Sequence, residues 1–478
     1  MNVSSDIYYL EMHELSQLIR SRKLSPVEVT KIQLARIDAL DNDLHSYARV
    51  TADIALQQAQ EAEDELAKGI CRSPLHGIPI AYKDLLDTAG VVTAAGMPLH
   101  AARIPQHDAT VVARLREAGA VMLGKLQMTE GAFAVHHPDI VAPSNPWGAN
   151  HWAGASSSGC GVATAAGLCY ASIGSDSGGS IRFPCAANGL TGLKPTWGRV
   201  SRYGAFEMAA SLDHIGPITR SARDTLFLLS TIAGYDPLDP TSTPSVCLEV
   251  PSVDASFKGL CVGVDLSWIS DGVDPVIQKA LEQIISIIFA GGGKVKKIQM
   301  PDTHQISSNW EAHCGVQTAV AHQATYPKYA AQYGPALSRL IDGGRQLSGM
   351  DYQRILLEAQ RFNGAMDALL YDVDIVLAPV QPYAAPTHQQ LANLAQDPEA
   401  NRHLIQFTAP FNVTGHPCLS FPIGLTESGL PIGGQFIGRK GGDATLCRAG
   451  MAVQQVSDWH RLRPPVMQHV VEKAGLAV

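Results

Sequence analysis

Three short stretches of this 478-residue chain carry side chains suited to nucleophilic chemistry. The first is GSDSGGS, residues 174–180, in which Ser180 follows two glycines. Glycines ahead of a serine let successive backbone N–H groups converge with no side chain in the way, and such a nest of donors suits an oxyanion. An ordinary glycine-rich turn has the same composition. A serine hydroxyl is a weak nucleophile until a neighbouring base takes its proton, and this loop contains no histidine. The second stretch is GASSSGCG, 154–161, three consecutive serines ahead of a helical pattern. Serine is a favoured helix cap, and it is also what a proton relay would use. The third is Lys83, at the end of the apolar run GIPIAYK. Such a lysine either snorkels to solvent, pairs with Asp84, or stays desolvated. Desolvation disfavours the charged form and leaves an amine that works as a base near neutral pH. Serine–lysine pairs are an attested nucleophile–base scheme.

Other chemistry is poorly supported. His136 and His137 precede Pro138 and Asp139, with no second cluster at ligand spacing, so they read as loop or packing histidines and no metal is expected. No Walker A or GxGxxG pattern occurs, and no cofactor is expected.

These residues need elements to hold them. The first 70 residues read as a helical segment. SPVE (25–28) is a helix start, with Ser25 as cap, Pro26 in the first turn and Glu28 placed for a capping box. A further helix is predicted over 51–68. From about residue 75 the pattern becomes strand–helix–strand. Strands are predicted at 77–83, 120–125 and 169–176, and helices at 108–119, with Asp108 near the cap, and at 158–168. Later strands are predicted at 260–268, 294–301, 374–379, 417–424 and 433–438. Helices are predicted at 274–292, capped by Asp274, over much of 311–371, and from about Ala444. The turn-rich 234–258 is a subdomain joint or a long loop. The rhythm predicts an α/β fold, one large α/β/α domain over 71–478 with a central, mostly parallel mixed sheet. Ser180 then follows a strand's carboxyl end, where open α/β sheets place ligands.

Composition narrows the class. Apolar residues make up 46% of the chain, enough for a large core, and the formal net charge is −8. That charge argues against nucleic-acid binding, which needs clustered positive side chains; the basic run GKVKK (293–297) is too short to reverse it. Nine cysteines without a CxxC read as buried thiols in a reducing compartment. The amino-terminal stretch lacks an apolar core and no run is long enough to span a bilayer, so the expectation is a cytoplasmic protein with no membrane partner.

The block GASSSGCGVATAAG…ASIGSDSGGSIRFPCAANGLTGLKPTWGRVS resembles the signature of the amidase signature family of serine hydrolases. The upstream LHGIPIAYKDLLDTAG resembles that family's lysine segment, and LSPVEVTKIQLARIDALD, ATVVARLREAGAVMLGKLQM and FNVTGHPCLSFPIG…GLPIGGQFIG are similar in style. The likeness covers most of the chain and is faintest over about 300–410. It implies Lys83 as catalytic base, Ser156 as the relay serine after a cis peptide bond, and Ser180 as nucleophile. The backbone N–H groups of Ser177, Gly178, Gly179 and Ser180 would line the oxyanion hole, with Asp176 and Arg182 bracing the loop. Met128 and Phe133, in QMTEGAFAVH, match a segment beside the acyl channel and would line a substrate pocket or simply pack in the core. The chain departs from the family at Ala155, in place of glycine, and at Cys160, in place of serine. The implied activity is hydrolysis of a C–N bond other than a peptide bond in a small-molecule amide, anilide or carbamate, or of an ester, through an acyl-enzyme. The alternatives are the glutaminase-type component of a tRNA-dependent amidotransferase and a non-catalytic binding protein on this fold. A homodimer stays open.

Overall fold

The computed structural model describes residues 7–244, 255–394 and 396–465. Its strands form one sheet: β1 (Tyr47–Val50), β2 (Pro79–Lys83), β3 (Val121–Leu126), β4 (Ser172–Asp176), β5 (Thr191–Lys194), β6 (His214–Thr219), β7 (Cys261–Val264), β8 (Lys294–Lys297), β9 (Ile375–Pro379), β10 (Cys418–Leu425) and β11 (Pro431–Gly438). Their spatial order is β1-β3-β2-β4-β6-β5-β10-β11-β9-β7-β8. The α/β class and the mixed sheet are as expected, but parallel pairing is confined to two blocks, β3–β2–β4 and β9–β7–β8. The run between them, β4–β6–β5–β10–β11–β9, is antiparallel. Helical crossovers make parallel pairs, whereas β10 and β11 are joined by the short turn at 426–430 and must run antiparallel.

Side chains alternate between the two faces of a strand, and both faces are covered. Ile80, Tyr82 and Met122 join one apolar cluster, with α1 (Met12–Arg20), α4 (Thr110–Glu117) and α7 (Ala222–Ile232). Ala81, Val121 and Leu123 join the other, with α2 (Pro26–Leu44), α3 (Ala52–Ala67) and α5 (Ser158–Ala165). The helix that follows β4, α6 (Arg182–Asn188), feeds Cys185 to the second cluster and Ala186 to the first.

Several local expectations change. The first 70 residues are not purely helical: β1 pairs antiparallel with β3 at the sheet edge. Ser25 caps α2 through Val27 and Glu28 N–H, but its hydroxyl donates to Glu63, on α3. Asp108 stands beside the cap of α4, Ala109, as expected; its carboxylate takes the Ala89 N–H and pairs with Arg116. The stretch 260–268 is strand only to Val264, because Asp265 caps a short helix over Leu266–Ser270. Much of the turn-rich 234–258, with Cys247, lies outside the described residues. Every described cysteine is unpaired. No helix of the described residues is long and apolar enough to cross a membrane.

Candidate active site

Lys83 ends β2, and every residue of that strand is buried. Its Nζ lies 2.6 Å from Ser156 Oγ and 2.8 Å from Ser175 Oγ. The lysine and the first serine of the three-serine run, 73 residues apart in sequence, therefore meet directly. Burial brings the Lys83 pKa down to about 7, a shift opposed by Cys160, Asp176 and Asp213. No carboxylate bonds the amine, so the cost of charging it is offset only by two hydroxyl oxygens and by acidic groups farther away.

Ser156 sits in a tight turn ahead of α5, and the peptide bond between Ala155 and Ser156 is cis, as the resemblance implied. Backbone contacts fix this turn: Thr129 N–H donates to Ser156 O at 3.2 Å and Gly159 N–H to Gln127 O at 2.9 Å. Ser157 Oγ donates to Ser175 O at 3.2 Å, tying the turn to β4. Cys160 points its buried thiol at Ile173 O, and burial pushes that thiol up to about 12. It packs the helix start and is no acid or base near neutrality.

Ser180 lies four residues beyond β4, in the loop before α6, and is half-buried where residues 171–179 are buried. The loop is built around Asp176. Its carboxylate accepts from Gly179 N–H at 2.7 Å, Ile181 N–H at 3.0 Å, Arg182 Nε at 3.0 Å, Arg182 Nη2 at 2.9 Å and Asn412 Nδ2 at 2.9 Å. Burial alone would raise this carboxyl, but the Arg182 guanidinium and the Asn412 amide hold it well below the usual range. Arg182 also donates to Thr408 O and Asn412 Oδ1. Asp176 and Arg182 therefore brace the loop, and Thr408 and Asn412 clamp it from a distant part of the chain. Gly179 has φ +138°, and a Cβ there would lie 2.3 Å from the Phe183 ring.

The four expected oxyanion donors are not equivalent. Gly179 N–H is spent on Asp176. Among the described residues no hydrogen bond uses the N–H of Ser177, Gly178 or Ser180, so three donors remain free. Met128 is fully buried in the main core and Phe133 is half-buried at its edge. Their neighbour Ala132 lines a small cavity that reaches Ser175 and Ser177. A cavity of about 990 Å³ is lined by His151, Tyr383, Leu430 and others, but by none of Lys83, Ser156 or Ser180.

Two neighbours escaped the sequence reading. Ser175 lies inside the quoted GSDSGGS, yet only the fold turns it toward Lys83. His136 reaches the relay turn, its Nε2 3.1 Å from Ser158 Oγ, and burial brings its pKa down to about 4. Elsewhere, Glu11, His13 and Asp224 stand close enough to hold an ion. Asp224 already takes the Met12 and His13 N–H groups there, and the Ser221 hydroxyl donates to Glu11, so the cluster reads as the joint between α1 and α7.

The profile of the amidase family matches residues 28–447. The chain belongs to the amidase family. It is 46% identical over 457 residues to the AmiD protein of Mycobacterium tuberculosis strain ATCC 25618 / H37Rv, covering 96% of each chain. It is 36% identical over 488 residues to the A component of the glutamyl-tRNA(Gln) amidotransferase of Moorella thermoacetica, covering 96% of this chain and 99% of that one. The peptide amidase PAM, solved with the competitive inhibitor chymostatin, superposes with a TM-score of 0.82 at 26% identity, over 96% of this amidase and 99% of PAM.

Proposed function

We propose that this family member hydrolyses a small-molecule amide through a Ser180 acyl-enzyme, with Ser156 and Lys83 as proton relay. The observation that carries this reading is the buried Lys83 amine, its pKa brought to about 7, in hydrogen-bond contact with Ser156. A neutral amine keeps two hydrogens and one lone pair. With one hydrogen donated to Ser175, the lone pair can face Ser156. Lys83 then accepts a proton from Ser156, Ser156 accepts one from Ser180, and Ser180 attacks the carbonyl. The N–H groups of Ser177, Gly178 and Ser180 receive the developing oxyanion, and one such donor is worth roughly 3 kcal/mol. Run backwards, the relay protonates the leaving amine, and water releases the acid.

The test is a turnover screen over anilides, primary amides, carbamates, esters and glutamine, with Ser180→Ala as the blank. Turnover of simple amides by the wild-type chain alone, absent in the variant, supports the reading. An active Ser180→Ala protein sinks it. The likeness to the amidotransferase component favours one second reading, release of ammonia from glutamine within a complex; a strict demand for glutamine would select it.

A further inference from the structure

The cavity beside the relay is too small for most substrates but has a distinct chemistry. It measures about 30 Å³, room for a few small groups the size of water, since one water needs about 10–15 Å³ of such space. Ser175 and Ser177 line its buried end, Ala132 and Phe206 its walls, and Arg202 and Glu207 its outer side. Glu207 is the exposed member, with its side chain 44% accessible. Ser175 hydrogen-bonds the amine of Lys83, and Ser177 carries the first free oxyanion N–H, so the cavity abuts the reaction centre.

Its charges are unequally used. Asp213 also faces the cavity but is saturated by Ser177 Oγ, Met208 N–H and Ala209 N–H. Arg202 is held by Thr241 Oγ1 through Nε and Nη2. Glu207 has only Arg202 Nη1, 3.7 Å away, and among the described residues no hydrogen bond uses its carboxylate. Arg202 is also outnumbered, because Asp239 accepts its backbone N–H beside Glu207 and Asp213. Burial, with Asp213 nearby, pushes the Glu207 carboxyl up, which marks an acceptor short of positive partners.

We infer that Glu207 selects amides bearing a primary ammonium group, which enters this cavity and donates to its carboxylate. An ammonium is about the size of a water molecule and fits within the cavity, carries three donors, and meets Ser175 and Ser177 hydroxyl oxygens at the inner end. A methyl group of the same size has no hydrogen to donate to the carboxylate. The substrate class is then a short amino-acid amide. This rests on the amide-hydrolase reading above.

The experiment compares matched pairs on the full-length protein: alaninamide against isobutyramide, and β-alaninamide against butyramide. We expect kcat/KM about tenfold or more higher for the ammonium member of at least one pair, as charge-assisted hydrogen bonds of this kind allow. In Glu207→Gln the ammonium-to-neutral ratio should collapse toward one, and in Glu207→Asp it should partly return, which a folding defect would not produce. Wild-type turnover of neutral amides without an ammonium preference, or a preference that survives Glu207→Gln, overturns the inference and leaves the hydrolase reading standing. A protein that turns over no member of the wider amide screen overturns both.

Discussion

Lys83 ends β2 and Lys125 is the last residue but one of the neighbouring parallel β3; both are fully buried, with the charged form disfavoured by burial. Their surroundings set them apart. Lys83 meets two serine hydroxyls and no carboxylate. Lys125 donates to Leu86 O at 2.5 Å and Thr93 Oγ1 at 2.7 Å, with Asp84 3.6 Å away. Register explains the divergence: β2 and β3 pair Lys83 with Leu126 and Tyr82 with Lys125, so the two amines leave opposite faces of the sheet. One arrives beside the serine turn of α5. The other arrives under the 84–97 loop and holds it. Lys125 also has a hydroxyl partner in Thr93, but it is shared with a carbonyl and stands beside the Asp84 carboxylate, which favours the charged, bracing form, whereas Lys83 has hydroxyl partners only and no carboxylate beside it.

That contrast can be broken most forcefully at Lys83. Lys83→Met should lower kcat by at least about a thousandfold, the scale of losing a member of a nucleophile–base set. Stability should not fall. The folded pKa of about 7 lies below the unfolded value of about 10.4, so the folded chain holds fewer protons between them and gains stability as pH rises across that window; below pH 7 the buried charge is a cost that methionine removes. A thermal midpoint at pH 6 no lower than wild type is expected. Lys125→Met should do the reverse: about 3 kcal/mol lost in denaturant unfolding, because Asp84 and two acceptors are left buried without their cation, and a far smaller loss of kcat in the folded fraction. Ser175→Ala should have the smallest effect, a fall of roughly tenfold in kcat/KM, since it removes one positioning hydrogen bond. It also deprives charged Lys83 of an acceptor, so the acid limb of the pH profile should move below pH 7.

The same two lysines show what the sequence could convey. GIPIAYK and AVMLGK have the same texture, an apolar run ending in lysine, and nothing local tells which amine meets serine hydroxyls and which meets a carboxylate. The motif resemblance singled out Lys83, Ser156 and Ser180 and the bracing pair Asp176 and Arg182, because those spacings are local or characteristic. Ser175, Asn412 and Thr408 were not legible, since their roles depend on which strand faces which turn across 92 to 230 residues of chain. A nest of glycines does not reveal that Gly179 N–H donates to Asp176. The strand β1 escaped notice because YARV is short and mostly exposed, and its pairing with β3 is long-range.

The role of Lys83 as the base that activates Ser180 is tested most directly by the pH dependence of Ser180 labelling with a fluorophosphonate, which needs no knowledge of the substrate. The labelling rate should climb through about pH 7 as Lys83 loses its proton, with Ser180 the modified residue and no labelling in Lys83→Met. A rate flat from pH 5 to 9, or label on another residue, would contradict it.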